Sequence, residues 1–300
     1  MKKILIAILG GTHNLYMHNF KYLLDHYLRV IDKFGIPADV IYYIGDGDKL
    51  SYDSTTHILQ LDVPDYDTSK KFKKLNEFIQ DKGYDIIIKT NASTIINIRL
   101  LNGFIQSSEF NDDYIFGPST TYNARDENNK FLFNFFQGFF TIYSSKYISS
   151  IINIWDKCVQ YIFEINSNIK EHENDNYGNV DDDPPLGMCC KWLNIPLKCL
   201  FMEYELFSTH NSVKWTLLLP EITNICDFSK ITFILCKSGD ALQNQSLDTR
   251  DVFEPAFIQI FGAIFEGLDI NDNIIKEFVE KNSDYGEELQ QRIIVQFKHR

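Results

Sequence analysis

Two sets of residues in this 300-residue chain have the type and spacing to do chemistry. One set is acidic. Asp182-Asp183 stand directly before Pro184-Pro185, at the end of a polar, acid-rich stretch spanning 166–185. A carboxylate followed by proline is good helix-start chemistry, because the free N–H groups of a first turn favour negative charge and proline fits there. The other set follows short apolar runs: Gly10-Gly11-Thr12-His13, Gly45-Asp46-Gly47-Asp48 and Lys89-Thr90-Asn91-Ala92-Ser93. If those runs are strands of an open α/β sheet, these residues stand at the carboxyl ends, where such sheets bind ligands. Gly10-Gly11 reads as a tight turn or as a loop touching a nucleotide. It is not G-x-G-x-x-G, so a dinucleotide fold has no support. Asp46-Gly47-Asp48 reads as a nucleoside contact or as an ordinary turn.

The elements that position these residues follow from periodicity. Apolar runs at 3–9, 38–44, 57–63 and 84–89 predict strands, and helical spacing predicts helices at 15–34 and 68–82. This alternation predicts an α/β fold with a mostly parallel sheet and helices on both faces. Further strands are expected at 113–117, 131–143, 197–207 and 231–236. Helices are expected at 146–165, 186–193, 251–268 and 271–299. The stretch 166–185 is too long for an ordinary connection and reads as a disordered or a functional loop.

Composition narrows the function. With 29 basic and 41 acidic residues the net charge is -12, which argues against a nucleic-acid surface, since phosphate affinity comes from Lys/Arg patches. The six cysteines have no zinc spacing and read as reduced core thiols. The apolar run after Met1-Lys2-Lys3 is too short for a signal peptide, and no run is long enough to span a membrane. A cytoplasmic location is the expectation.

Several pieces together resemble the fringe-like and β-1,3-galactosyltransferase-like glycosyltransferases. Residues 84–97 (YDIIIKTNASTIIN) are similar to that family's strand followed by K-T-D-D-D-T-x-x-N, with Lys89, Thr90, Thr94 and Asn97 in register. Asp62-Val63-Pro64-Asp65-Tyr66, with Lys70 and Lys71 after it, is similar to its D-x-Y…K segment. Residues 137–144 look like its glycine-containing strand, Asp182-Asp183-Pro184-Pro185-Leu186-Gly187 like its E-D-V-x-x-G, and Phe207-Ser208-Thr209-His210 like its closing F-x-S-H. The resemblance covers about residues 1–215. It implies a GT-A fold domain over 1–215 with a C-terminal α-rich extension over 216–300. It further implies transfer of a sugar from a nucleoside-diphosphate donor such as a UDP-sugar to a glycan or other hydroxyl acceptor.

On that resemblance Asp183, beside Asp182, is the general base of an inverting displacement, kept ionised by the start of its helix. Gly10, Gly11, Thr12, Gly45, Asp46, Lys71, Lys89, Asn91, Ala92 and Ser93 would line the donor, and His210 would contact a metal or the diphosphate. The departure is at Asn91-Ala92-Ser93, where the family has D-x-D carboxylates that hold Mn²⁺ or Mg²⁺. Three alternatives follow: Lys70, Lys71, Lys89 or Arg99 take over the metal's role; the diphosphate and His210 hold the cation; or the protein binds donor or glycan without turnover. A nucleotidyltransferase is a more distant alternative. The turn at 237–240 and the pair Arg250-Asp251 could close over phosphates or be plain surface.

Overall fold

The computed structural model describes residues 1–118, 122–125, 130–136, 138–168, 181–200, 233–235 and 250–267. The chain divides into two compact units. The first comprises 1–17, 37–92 and 104–202, and the second comprises 18–36, 93–103 and the described residues beyond 203.

The first unit is built on an eight-stranded sheet. Its strands are β1 (Ile4–Leu9), β2 (Ala38–Ile44), β3 (Ser51–Asp53), β4 (Ile58–Gln60), β5 (Ile86–Asn91), β7 (Ile115–Gly117), β10 (Phe140–Ser144) and β11 (Leu197–Cys199). The order across the sheet is β11-β7-β10-β5-β1-β2-β4-β3. Pairing is parallel except where β10 runs antiparallel to β5 and β7, and where β3 runs antiparallel to β4. Ile4 to Ile8, Val40 to Tyr43 and Ile86 to Ile88 are all buried, so the central strands are covered on both faces, as a parallel sheet requires.

One face packs against α2 (Thr68–Ile79), α4 (Ile148–Asn168) and α5 (Asp183–Trp192). Alternate residues Leu5, Ala7, Ile41, Tyr43 and Ile87 point there and meet Phe72, Leu75, Ile151 and Trp155. Helix α2 starts where the Asp67 carboxylate accepts the Lys70 N–H at 2.9 Å. A hairpin of β8 (Tyr122–Arg125) and β9 (Phe131–Phe135) intervenes between β7 and β10.

The second unit holds most of α1 (Asn14–Phe34), the antiparallel pair β6 (Thr94–Ile96) and β12 (Phe233–Leu235), the start of α3 (Ile98–Gln106), and α6 (Arg250–Phe265). Helix α1 ends at Gly35, with φ +57°, and the Ile36 N–H closes onto Ile31 O at 3.0 Å. His26 donates or accepts at Nδ1 with Glu266 Oε1, 2.9 Å away, and Arg29 Nη2 reaches the same oxygen at 2.9 Å.

The expected α/β class with a mostly parallel sheet is the observed one. The predicted strand at 131–143 is two strands, β9 and β10, separated at 136–139, and β3, β6, β8 and α3 come from segments given no element by periodicity. The expected helix at 271–299 and most of the stretch 166–185 lie outside the described residues. Among the described residues Cys158, Cys189, Cys190 and Cys199 are free thiols, and no helix is long and apolar enough to cross a membrane.

Candidate active site

The parallel strands β1, β2 and β5 end at the same edge of the sheet, and two clusters of polar residues from the first unit collect there. In the first cluster Asp65 is the hub. Its Oδ1 accepts the Gly45 N–H at 2.8 Å and pairs with Lys71 Nζ at 3.1 Å, and its Oδ2 accepts the Thr12 N–H at 2.8 Å. Lys71 Nζ also donates to Gly10 O at 2.8 Å, and the Asp65 N–H donates to Asp46 Oδ1 at 2.9 Å. Burial opposes the Asp65 charge, but the Gly45 and Thr12 amides and Lys71 overcome it and hold the carboxyl below its ordinary range. Tyr42 completes the cluster: its hydroxyl donates to Gly11 O and accepts the Gly11 N–H, both at 3.2 Å. A Cβ on Gly10 would lie 1.9 Å from the Tyr42 ring, so only glycine fits.

Gly10, Gly11, Thr12, Gly45, Asp46 and Lys71 are therefore brought together, around a residue that motif matching left outside the candidate site. In sequence Asp65 stands out only as part of the 62–66 segment; its place between Gly45 and Lys71 is set by the fold.

In the second cluster Lys89, on β5, is 1% exposed and forms ion pairs with Asp182 and, at 3.5 Å, with Asp183 Oδ1. Its Nζ also donates to Gly138 O at 2.9 Å, and the Gly138 N–H donates to Asp183 Oδ2 at 2.5 Å. Burial works against the Lys89 ammonium, but Asp182 and Asp183 outweigh it and raise its pKa. Asp183 opens α5, where the helix start was expected to keep it ionised. The structure differs, because burial is the larger effect: it pushes the Asp183 carboxyl up to about 7, with Asp182 adding to burial and Lys89 opposing it. A carboxylate poised near neutrality can take a proton from a hydroxyl, which one held at its ordinary value does poorly.

The remaining candidates are placed elsewhere. Asn91 ends β5, Ala92 is buried with its N–H on Leu9 O at 3.0 Å, and Ser93 Oγ donates to Glu254 Oε2 at 2.8 Å. Ala92 brings no ligand atom and the Ser93 hydroxyl is engaged, so this turn does not fit a divalent cation as a D-x-D pair would. Among the described residues no group of three His, Cys, Asp or Glu is placed to hold a metal ion. Lys70 Nζ lies 2.8 Å from Asp67 Oδ2 at the start of α2, and the Arg99 guanidinium lies 4.7 Å from the centre of the Phe34 ring. His210 and residues 237–240 fall outside the described residues, as does the Arg250 side chain.

No family model matches the chain, and no curated protein does. Solved structures that it resembles include the glycosyltransferase GlyE of Streptococcus pneumoniae TIGR4. The likeness to GlyE has 14% identity and a TM-score of 0.45, covering 89% of this chain and 64% of that one. Its apo form gives 12% identity and a TM-score of 0.43, covering 89% and 63%. The catalytic domain of Drosophila β1,4-galactosyltransferase 7, in complex with xylobiose, gives 8% identity and a TM-score of 0.30, covering 50% and 52%. The chain spans less than two thirds of the length of each.

Proposed function

We propose that the protein is a GT-A-type glycosyltransferase that moves a sugar from a nucleoside-diphosphate donor to an acceptor hydroxyl, with inversion and with Asp183 as general base. The observation that carries this is the Asp183 carboxylate. It is mostly buried, raised toward neutrality, and held by the Gly138 amide beside Lys89 of β5.

In this reading the acceptor hydroxyl approaches Asp183, which takes its proton as the oxygen forms a bond to the anomeric carbon and the diphosphate leaves from the opposite side. The Gly10–Thr12 and Gly45–Asp46 turns, tied together by Asp65, form the floor for the donor. Lys71 is committed to Asp65 and Gly10 O, so it shapes this floor and does not serve as a free cation. The donor set of the 91–93 turn gives no carboxylate to a metal, and no step is routed through one.

The test is a thermal-shift screen against nucleoside-diphosphate sugars, followed by transfer assays on any that bind. A donor that raises the melting temperature and is turned over by wild type but not by Asp183→Asn supports the proposal. Binding without turnover by wild type points instead to a protein that keeps the fold and binds donor or glycan only.

A further inference from the structure

A small cavity of about 10 Å³ is lined by Phe136, Leu186 and Leu197 together with Lys89, Thr141 and Asp183. Thr141 sits on β10 directly opposite Lys89 and is 1% exposed. Its Oγ1 makes no hydrogen bond within the protein. Asp183 Oδ1 accepts none either, and Lys89 Nζ lies 3.5 Å from it; the Gly138 amide is spent on Oδ2.

Two features of Thr141 need explaining together. Its neighbours on β10 are Phe140, Ile142 and Tyr143, all buried, so a valine would pack equally well and suit the strand as well. A buried hydroxyl left unpaired carries the full cost of its lost hydration. Threonine is therefore the worse choice unless its hydroxyl has a partner. The cavity provides room for one: about 10–15 Å³ open to a water's centre holds a single molecule, provided at least two polar atoms face it. Two of the side chains that line it carry a buried polar atom that makes no hydrogen bond, Thr141 Oγ1 and Asp183 Oδ1.

We propose that this cavity binds one water molecule, which accepts a hydrogen bond from Thr141 Oγ1 and donates one to Asp183 Oδ1, making Thr141 a positioning residue for the carboxylate. The water site stands without the glycosyltransferase proposal; only the importance of Asp183 rests on it. A hydrogen bond donated to a carboxylate favours its charged form, so the water partly offsets burial. The other ionisable groups around the carboxylate are Lys89 on β5, Asp181 and Asp182 before and at the start of α5, and the Tyr43 and Tyr143 phenols on β2 and β10. None of these is altered by changing Thr141.

The experiment uses crystals of the full chain at a resolution that shows ordered water, together with carboxyl-carbon NMR titration of Asp183 in wild type, Thr141→Val and Thr141→Ser. Wild type and Thr141→Ser should show a water within hydrogen-bonding distance of residue 141 Oγ and Asp183 Oδ1. Thr141→Val should lose it, and its Asp183 midpoint should rise by about one pH unit while the circular dichroism spectrum is unchanged. A wild-type cavity without water overturns the proposal even if Thr141→Val fails to fold, and so does a folded Thr141→Val whose Asp183 midpoint stays put. Because neither readout involves sugar, absence of any donor turnover would sink the proposed activity and leave this site standing.

Discussion

Gly138 and Asp183 are fitted to each other twice. The Gly138 N–H donates to Asp183 Oδ2 at 2.5 Å, and a Cβ added to Gly138 would lie 1.7 Å from Asp183 Oδ1. The amide can aim the carboxylate only because no side chain occupies that space. Gly138→Ala should therefore displace Asp183 and reduce sugar transfer by about 100-fold or more, the usual scale for losing a positioned base. The stability cost should be only about 1–3 kcal/mol. Unchanged kcat in a folded Gly138→Ala protein would remove Asp183 from the chemistry.

Lys89 supplies the positive charge nearest to Asp182 and Asp183 among the described residues; it and Asp182 are buried, while the Asp183 side chain is 20% exposed. Removing one member of such a group leaves uncompensated charge inside. Lys89→Met should destabilise the protein by about 3–5 kcal/mol, and Lys89→Met with Asp182→Asn and Asp183→Asn should recover part of that loss. Urea unfolding of the single and triple variants measures both. A triple variant no more stable than the single one would mean that Lys89 acts through packing.

Asp183 also makes stability depend on pH in a direction opposite to most carboxylates. Its folded pKa is raised from an ordinary 3.8 to about 7, so between those values the native state binds the extra proton and the unfolded chain does not. The contribution is full below the lower value and is lost as pH rises through the upper one. Asp183→Asn should gain stability relative to wild type between pH 5 and pH 8, by an amount of the order of 2–4 kcal/mol. Parallel melting curves across that range would argue against the buried, raised carboxyl.

The second unit should respond to acid in the reverse sense. Burial lowers the His26 pKa despite Glu266, while the His26 hydrogen bond and Arg29 hold Glu266 down at about 2. A neutral His26 donating its Nδ1–H to a carboxylate whose charge is balanced by Arg29 satisfies both. The unfolded chain then binds protons more readily, so stability is lost as pH falls below about 6.5 and again below about 4.5. His26→Gln should flatten the first of these losses, read as the melting temperature between pH 7 and pH 5. A shift in melting temperature between pH 7 and pH 5 that is the same in His26→Gln as in wild type counts against it.

The first turn at the sheet edge offers a paired test. Gly10→Ala places a Cβ inside the Tyr42 ring, and Tyr42→Ala vacates that space. Gly10→Ala alone should weaken donor binding and lower stability, and the double variant should regain stability relative to Gly10→Ala. Additive losses in a double-mutant cycle would show that the two residues do not meet.

The helices and central strands were readable from sequence because their apolar residues repeat at 3.6 or run continuously. Ala38–Ile44 appears as expected, and α1 starts one residue before its predicted limit. Thr94–Ile96 and Ser51–Asp53 were missed because three-residue strands leave no period to read. The 131–143 strand was drawn too long because Phe135, Phe136, Phe139 and Phe140 continue the apolar run through the break that carries Gly138. At the site, motif order singled out Asp182, Asp183, Lys89 and Lys71, and the structure joins them into two clusters. Spacing alone carried no sign of Asp65 as a hub, nor of Thr141 beside Asp183, since both depend on which strands become neighbours. The upward push on the Asp183 carboxyl is not legible for a related reason: a helix start is visible in sequence, but burial is not.

Because β10 runs against its neighbours, it begins at the edge where β5 and β7 finish. β7 ends and β10 begins at that one edge, and the β8–β9 hairpin lies between them in the chain. β8 and β9 pair with each other in a sheet of their own, so the register of the eight-stranded sheet does not run through them. Changes within these two strands can therefore leave every pair of the eight-stranded sheet in register.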